Sequence, residues 1–453
     1  MTRQGRRILF FWAVALFVLL SITVLIFAFG FRYDFKNNRL LKTGSLVIKS
    51  NLEAQIFIND KLEGQTSFLK GTFSKKQLLP GSYSVKVQKD KFTSWQKKVK
   101  VEEGLVSDFS HIILFGREEA EHPMFNGKSP LAIDREGQKV IYTEKGSIIF
   151  YDLGGSEPVY ESESLSLNLA TLKVIWGLEG QEALVYDKDK AFYFNLIEKN
   201  SRRLESLKQY SLGEAILRNA QLYFLKPASR PGSTKDLVSL SLDNLKIQNI
   251  SKDLLSFWIS KNGIFIISPL PPGKNQFIKL DLNGQNEQVL GEIEGTLIKK
   301  VENRNGIYYA LIGSNLYSFQ DTEVALKASK VNGFAISPDN VILGWHNSHE
   351  FWIEWVRDTT SQPLKKAGQK ELITKAINGA GNIRGLDWYK NGNYAFLELD
   401  GGLMVTEIDL RGGVNSDKVL NLNGPREQAW YDLNQNKIFK LTGSRGLASI
   451  DAP

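Results

Sequence analysis

The sequence predicts a mainly all-β chain: an N-terminal transmembrane helix, a small β-sandwich, and then a β-propeller of eight or seven four-stranded blades. Three observations predict it. An apolar run from Ile8 to Phe31 is broken only by Ser21, Thr23 and Gly30 and carries no charge. Short stretches of alternating apolar and polar residues, bounded by Gly, Pro, Asn and Asp, dominate everything after Gly44. From Ile133 onward an apolar or aromatic marker recurs about every 42 residues, the period of a four-stranded blade.

The apolar run exceeds the roughly 20 residues that a helix needs to cross a bilayer core. It is also longer than the apolar core of a secretory signal, about 7–15 residues, although Ala28-Phe29-Gly30 resembles a cleavage site. Residues 1–7 are therefore expected to be a short cytoplasmic tail, 8–31 an uncleaved membrane helix and 32–43 a juxtamembrane linker. Arg3, Arg6 and Arg7 before the helix are balanced by Arg32, Lys36, Arg39 and Lys42 after it, so basic residues alone do not orient it. The chain has no cysteine, which removes disulfides, thiol chemistry, Cys-ligated metals and lipid attachment through a cysteine.

Charge is divided unevenly. Residues 1–116 hold 18 Lys and Arg against 8 Asp and Glu, whereas residues 117–453 hold 39 against 41. The overall excess of +8 thus belongs to the membrane-proximal part, where it is expected to attract anionic head groups or wall polymers. Lys75, Lys76, Lys97, Lys98 and Lys100 read equally well as solvated faces of a small domain. A nucleic-acid partner is not expected, because the basic residues are not interleaved with stacking aromatics.

Residues 44–116 alternate plainly at Ser45–Ser50, Ala54–Asn59, Tyr83–Gln88 and Val99–Val101, which predicts four or five short strands in a small sandwich. Ala54-Gln55-Ile56-Phe57-Ile58-Asn59-Asp60, Gly64-Gln65-Thr66, Leu79-Pro80-Gly81-Ser82-Tyr83-Ser84-Val85, and then Phe92 and Trp95, follow one another in an order that resembles the PEGA domain of prokaryotic surface proteins. Asn51-Leu52-Glu53-Ala54 stands where that family has Pro-Glu-Gly-Ala, so its turn lacks the residues that fix backbone angles. The resemblance implies a noncatalytic, extracytoplasmic module beside a membrane anchor that contacts envelope polymers or surface proteins, and hence an N-terminus inside with the bulk outside.

A linker is expected over 117–128 and the propeller over 129–453. The markers are Ile133, Trp176, Trp258, Phe334, Trp388 and Trp430, with weaker copies near Leu217 and Val301. Each precedes a turn Gly or Asn and a run of β-formers. The units resemble diverged WD40-like and TolB-like repeats at Ala335-Ile336-Ser337-Pro338-Asp339-Asn340 and in the Asp-Leu-x-Gly endings at Asp281 and Asp409; no Gly-His or Trp-Asp pair recurs. Stacking sheets around an axis buries both faces of each, so the repeated Trp is expected to pack between blades. The last unit, Ala429 to Ala452, has only three strands, which predicts that closure borrows one from around Glu121 to Phe125.

Chemistry-bearing residues are few. His346 and His349 flank Asn347-Ser348, read as a two-residue hairpin turn that sets the rings facing each other; a third ligand is lacking, so they are weak metal candidates and no metal site is expected. Gln369 to Ile377 reads as a short helix stopped by Gly379-Ala380-Gly381. No Gly-x-Ser-x-Gly elbow is present, and Asp134, Asp339 and Glu354, about one carboxylate per unit, form no acid–base pair. No catalytic residue or cofactor is expected. A single-pass plasma-membrane protein whose propeller binds a protein or glycan is expected, and the whole chain resembles anchor-PEGA-propeller surface proteins, whose own function is obscure. The alternative is an envelope glycan hydrolase or lyase with its site in the propeller mouth.

Overall fold

The computed structural model describes all residues except 1–2, 36–37, 68, 118–119, 126–129, 137, 205–206, 208–209, 211, 228–233, 271–272, 322, 361, 376–380, 425 and 443–445, and side chains except those of residues 3 and 375 besides. The helix runs over Arg3–Ala28, starting before and stopping short of the expected 8–31. Its 26 residues span about 39 Å at 1.5 Å per residue, enough for a bilayer core. Gly30 ends it at φ +80°, a left-handed conformation that glycine adopts without Cβ strain. The stretch expected as a plain linker is instead a hairpin, Phe31–Asp34 paired with Arg39–Lys42, because Tyr33 and Leu40 meet across it while Leu41 is buried on the other side.

The small domain has seven strands rather than four or five. One sheet has the order Thr72–Leu78, Gly44–Ser50, Val106–Ile112, the last two parallel; the other has Lys61–Gln65, Gln55–Ile58, Gly81–Gln88, Trp95–Val101. Three of the strands, Lys61–Gln65, Thr72–Leu78 and Val106–Ile112, are polar edge strands, so their alternation is faint in the sequence. Leu46, Ile48, Ile56, Val85, Val87 and Trp95 form the core between the sheets.

Eight four-stranded antiparallel sheets follow. Their spans are Ala132–Glu161, Lys173–Leu204, Ile216–Leu254, Ser256–Ile293, Ile298–Ser329, Gly333–Lys375, Ile383–Asn421, and Gln428–Asp451 joined by His122–Pro123. We number them blades 1–8. The eight markers, the weak copies at Leu217 and Val301 included, each lie on the first strand of a blade. His122–Pro123 pairs with Gly446–Asp451 as the outermost strand of blade 8, within the stretch from which a borrowed strand is expected.

Packing shows that the ring is closed. An open stack of eight sheets has seven interfaces, but eight apolar clusters join the sheets among the described residues. Seven join consecutive blades, as where Phe150 of blade 1 meets Phe194 of blade 2. The eighth sets Leu153 and Ile133 of blade 1 against Trp430, Phe439 and Leu447 of blade 8. The Trp markers serve these seams: Trp176 packs edge-on against Phe150 of blade 1, and Trp388 donates to the Ala335 carbonyl of blade 6 at 3.1 Å.

Lys370–Lys375, read from sequence as part of a helix, is the outer strand of blade 6. Its Lys, Glu and Leu content favours helix locally, but the open edge of Glu350–Trp355 offers a ladder of backbone partners, and tertiary pairing overrides propensity. Residues 376–380, which hold the end of that expected helix and the first two residues of Gly379-Ala380-Gly381, lie outside the described residues.

Candidate functional site

Because every blade is an up-and-down sheet, the turns joining strands one to two and three to four emerge on one face of the ring. On that face blades 2, 3 and 4 enclose a groove of about 730 Å³. Its floor is Glu182, 9% exposed, whose Oε2 accepts the Tyr193 hydroxyl at 2.7 Å and the Ala220 amide of blade 3 at 2.9 Å. Gly177 permits this: a Cβ there would sit 2.3 Å from the Glu182 Cγ. Burial, with the Glu182 bond and charge adding, pushes the Tyr193 hydroxyl well above its ordinary value. Arg202 lies 4.9 Å over the Tyr193 ring and pairs with Asp243 at 2.5 Å, while Lys261 pairs with Glu179 at 3.1 Å. The rim therefore links three blades by charge, and the groove offers hydrogen-bonding groups of both signs to a polar ligand.

A second polar cluster joins blades 7, 8 and 1. Asp387 on Ile383–Trp388 accepts from the Tyr431 amide at 3.3 Å, and Glu398 accepts from the Ala429 amide at 3.3 Å. Arg135 of blade 1 covers the Trp430 ring at 4.3 Å, donates to Gln428 at 2.6 Å and lies 3.8 Å from Glu398; Arg384 is 3.4 Å from the other Glu398 oxygen. Burial pushes the enclosed Asp387 carboxyl up to about 6, against the pull of Arg135 and the Tyr431 amide. Lys300, on the inner strand of the non-adjacent blade 5, also pulls it down. Both carboxylates are held by backbone amides of blade 8, which ties the ring together at its closure.

A third, buried polar group lies between the small domain and blade 7. Lys97, its side chain fully buried, reaches Glu407 at 3.0 Å, the Asp409 carbonyl, and the Asp409 carboxylate at 4.0 Å. Glu407 also accepts from Trp95 Nε1 at 3.2 Å and from Asn415 at 2.8 Å. Burial raises the Glu407 carboxyl despite the nearby Lys97 charge. Burial also acts to raise Asp409, but the Arg411 bond and Lys97 outweigh it and leave that carboxyl below its usual range. Around this centre the edge strand Trp95–Val101 donates from the Lys98 amide to the Gly412 carbonyl at 3.1 Å, and Arg411 lies 4.3 Å over Phe109. Phe115, just past the sandwich, inserts between Tyr389, Tyr394 and Phe396.

The residues singled out from sequence do not converge. His346 pairs with Phe351, and the Asn347 side chain caps the amides of His349 and Glu350 at 2.7 Å each, so the turn proper is Ser348-His349, one residue later than read. His346 is buried against Gly333, and burial lowers its pKa, whereas His349 is exposed; the structure does not bring them together. Asp339 accepts from Ser337 at 2.6 Å, Glu354 pairs with Lys327 at 2.7 Å, and Asp134 lies on the inner strand of blade 1. Sequence reading missed Lys97, Glu407, Asp387 and Glu398. A signal for Lys97 was present: it falls on the inward phase of Trp95-x-Lys97-x-Val99-x-Val101.

No family model matches the sequence, and no curated protein matches it. Among solved structures it is similar to Kluyveromyces lactis Hsv2, with 8% identity, a TM-score of 0.41, and coverage of 65% of this chain and 98% of that one. It is also similar to a eukaryotic initiation factor (8% identity, TM-score 0.39, 71% and 87% covered) and to an oligogalacturonate lyase in complex with manganese (9%, 0.36, 74% and 90%).

Proposed function

We propose that this chain is a single-pass, membrane-anchored binding and scaffold protein: the apolar helix lies in the plasma membrane with the N-terminus inside, the PEGA-like small domain meets the envelope, and the propeller presents a protein- or glycan-binding face outside. The observation that carries this reading is the buried Lys97–Glu407–Asp409 junction. It makes the small domain and the propeller one body, so that the propeller face is held at a set orientation to the helix. The polar groove of blades 2–4 is the place on that body best suited to a hydrophilic partner.

The test is retention of envelope fractions by the full chain in detergent micelles, with peptidoglycan, soluble glycan and membrane protein applied separately. Saturable retention of one fraction with its mass unchanged is the expected result. Release of smaller products would instead support the alternative, a glycan hydrolase or lyase, and would direct attention to Asp387 and Glu398.

A further inference from the structure

The hairpin that follows the helix has two unlike faces. Arg32, Leu41, Asp34 and Arg39 share one, by their cross-strand register; Arg32 donates to Gln77 at 2.8 Å and Leu41 is buried, so this face rests on the small domain. Phe31, Tyr33, Leu40 and Lys42 share the other, which points away from that domain. Tyr33 and Leu40 are 46% and 47% exposed, and Phe35, edge-on to Tyr33 at 5.1 Å, is 86% exposed. Beside Lys42 lies the 102–106 turn, where Leu105 and Val106 are 56% and 51% exposed. Water has no favourable use for such a patch, and an isolated two-stranded hairpin is marginal in water.

We infer that this patch lies in the head-group zone of the bilayer that the helix enters, Tyr33, Phe35, Leu40 and Leu105 dipping between lipids while Lys42 meets anionic head groups. The inference rests on the proposed anchoring. Continuity fixes the occupant: the helix ends at Ala28, and the Thr43 amide and hydroxyl both bond the Gly30 carbonyl, the amide at 2.7 Å and the hydroxyl at 2.6 Å, which clamps the hairpin base to the helix end. Aromatic rings at an apolar–polar boundary and cations at its polar side are what a lipid interface selects. Glu102 and Glu103 also stand on this turn; Glu102 is paired with Lys100 at 2.7 Å, and Asp34 stands across from Arg39 on the opposite face, so Lys42 is the hairpin cation that this patch presents. The opposite end of the small domain carries the propeller, so contact here would set the tilt of the whole ring.

A chain without cysteine accepts single labels cleanly. Nitroxides are placed at Leu16→Cys, Phe35→Cys, Leu105→Cys and Leu69→Cys in the full chain, reconstituted in vesicles of phosphatidylcholine alone or mixed with phosphatidylglycerol. Leu69, 91% exposed, sits beside the far end of Gly44–Ser50 and serves as the aqueous reference. Relative collision rates with oxygen and with a polar nickel chelate then read depth. The expected result places Leu16 in hydrocarbon, Phe35 and Leu105 at the head groups, more deeply with phosphatidylglycerol, and Leu69 in water. Lys42→Gln should abolish the phosphatidylglycerol effect. Labels at 35 and 105 as open to nickel as the one at 69, with 16 still in hydrocarbon, would overturn the inference and leave the anchor standing. A water-exposed label at 16 would remove both.

Discussion

Replacing Lys97 by Ala strips the cation from the junction while leaving the Glu407 carboxylate, 5% exposed, with only the Trp95 and Asn415 donors. Removing one member of a buried pair costs about 3–5 kcal/mol. The loss should fall toward the lower end, since burial already raises the Glu407 carboxyl and the variant can take up a proton. At about 1.4 kcal/mol per decade, 3 kcal/mol multiplies the undocked population about 100-fold. Hydrogen exchange reads this directly, because the Lys98 and Gln96 amides donate across the junction, to the Gly412 carbonyl and to Asn415 Oδ1 at 2.9 Å. Both should exchange about two decades faster in the variant, with amides of blade 3 unchanged. The sign with pH follows from Glu407: its folded value lies above the unfolded one, so docking of the variant is favoured at acid pH and weakens as pH rises through that value. Acceleration of less than about threefold at neutral pH would refute the claim that this pair joins the two domains.

Gly412 has φ +69°, and a Cβ there would lie 2.4 Å from the Lys98 carbonyl oxygen, so Gly412→Ala should speed the same two amides; the left-handed backbone alone costs roughly 1–2 kcal/mol. Asp387 holds its proton to about 6 against an ordinary 3.8, so the stability it contributes is complete below 3.8 and is lost as pH rises through 6. Asp387→Asn should flatten that part of a melting-temperature profile, removing a slope worth up to about 3 kcal/mol; an unchanged profile would count against the burial described. Deleting 121–125 removes the Met124 amide bond to Leu447 at 2.9 Å, the Glu121–Lys440 pair at 2.6 Å and the Phe125 ring packed on Tyr142 and Tyr151. It should lower propeller stability by about 3 kcal/mol in thermal melts, the lower end of the scale for losing an aromatic because Phe125 is only partly buried; protease resistance equal to the intact chain would mean that closure does not depend on this strand.

Repetition made the propeller legible. Trp176, Trp258, Trp388 and Trp430 stand at the same point of the unit, and even Leu217 and Val301, which lack the ring, keep the spacing that places them on inner strands. Local signals failed where a distant partner decides. Lys370–Lys375 looks helical alone and is a strand because Glu350–Trp355 has an open edge. His346 and His349 look symmetric about a turn until Asn347 caps the next two amides and shifts it. Lys97 sits in a run of lysines that reads as solvated, and only the strand phase separates it from Lys98; its carboxylate partner Glu407 lies 310 positions further along the chain, beyond any local pattern. Asp387 and Glu398 were hidden for the same reason, since their partners are amides of another blade.

His122–Pro123 completes the last blade, and its neighbour Glu121 accepts from Lys440, 319 positions further along the chain. During synthesis the first part of the ring to emerge must wait for the last. Until Gly446–Asp451 arrives, blade 1 has no neighbour on one side, and Leu153 and Ile133 stay uncovered. Blades 1 to 7 can stack in order as they appear, but the cooperative step falls at the end of translation, and the late joining of distant segments makes it slow. A ribosome stalled before blade 8 would therefore present an unsealed stack with a bare sheet face, a natural substrate for chaperones and proteases.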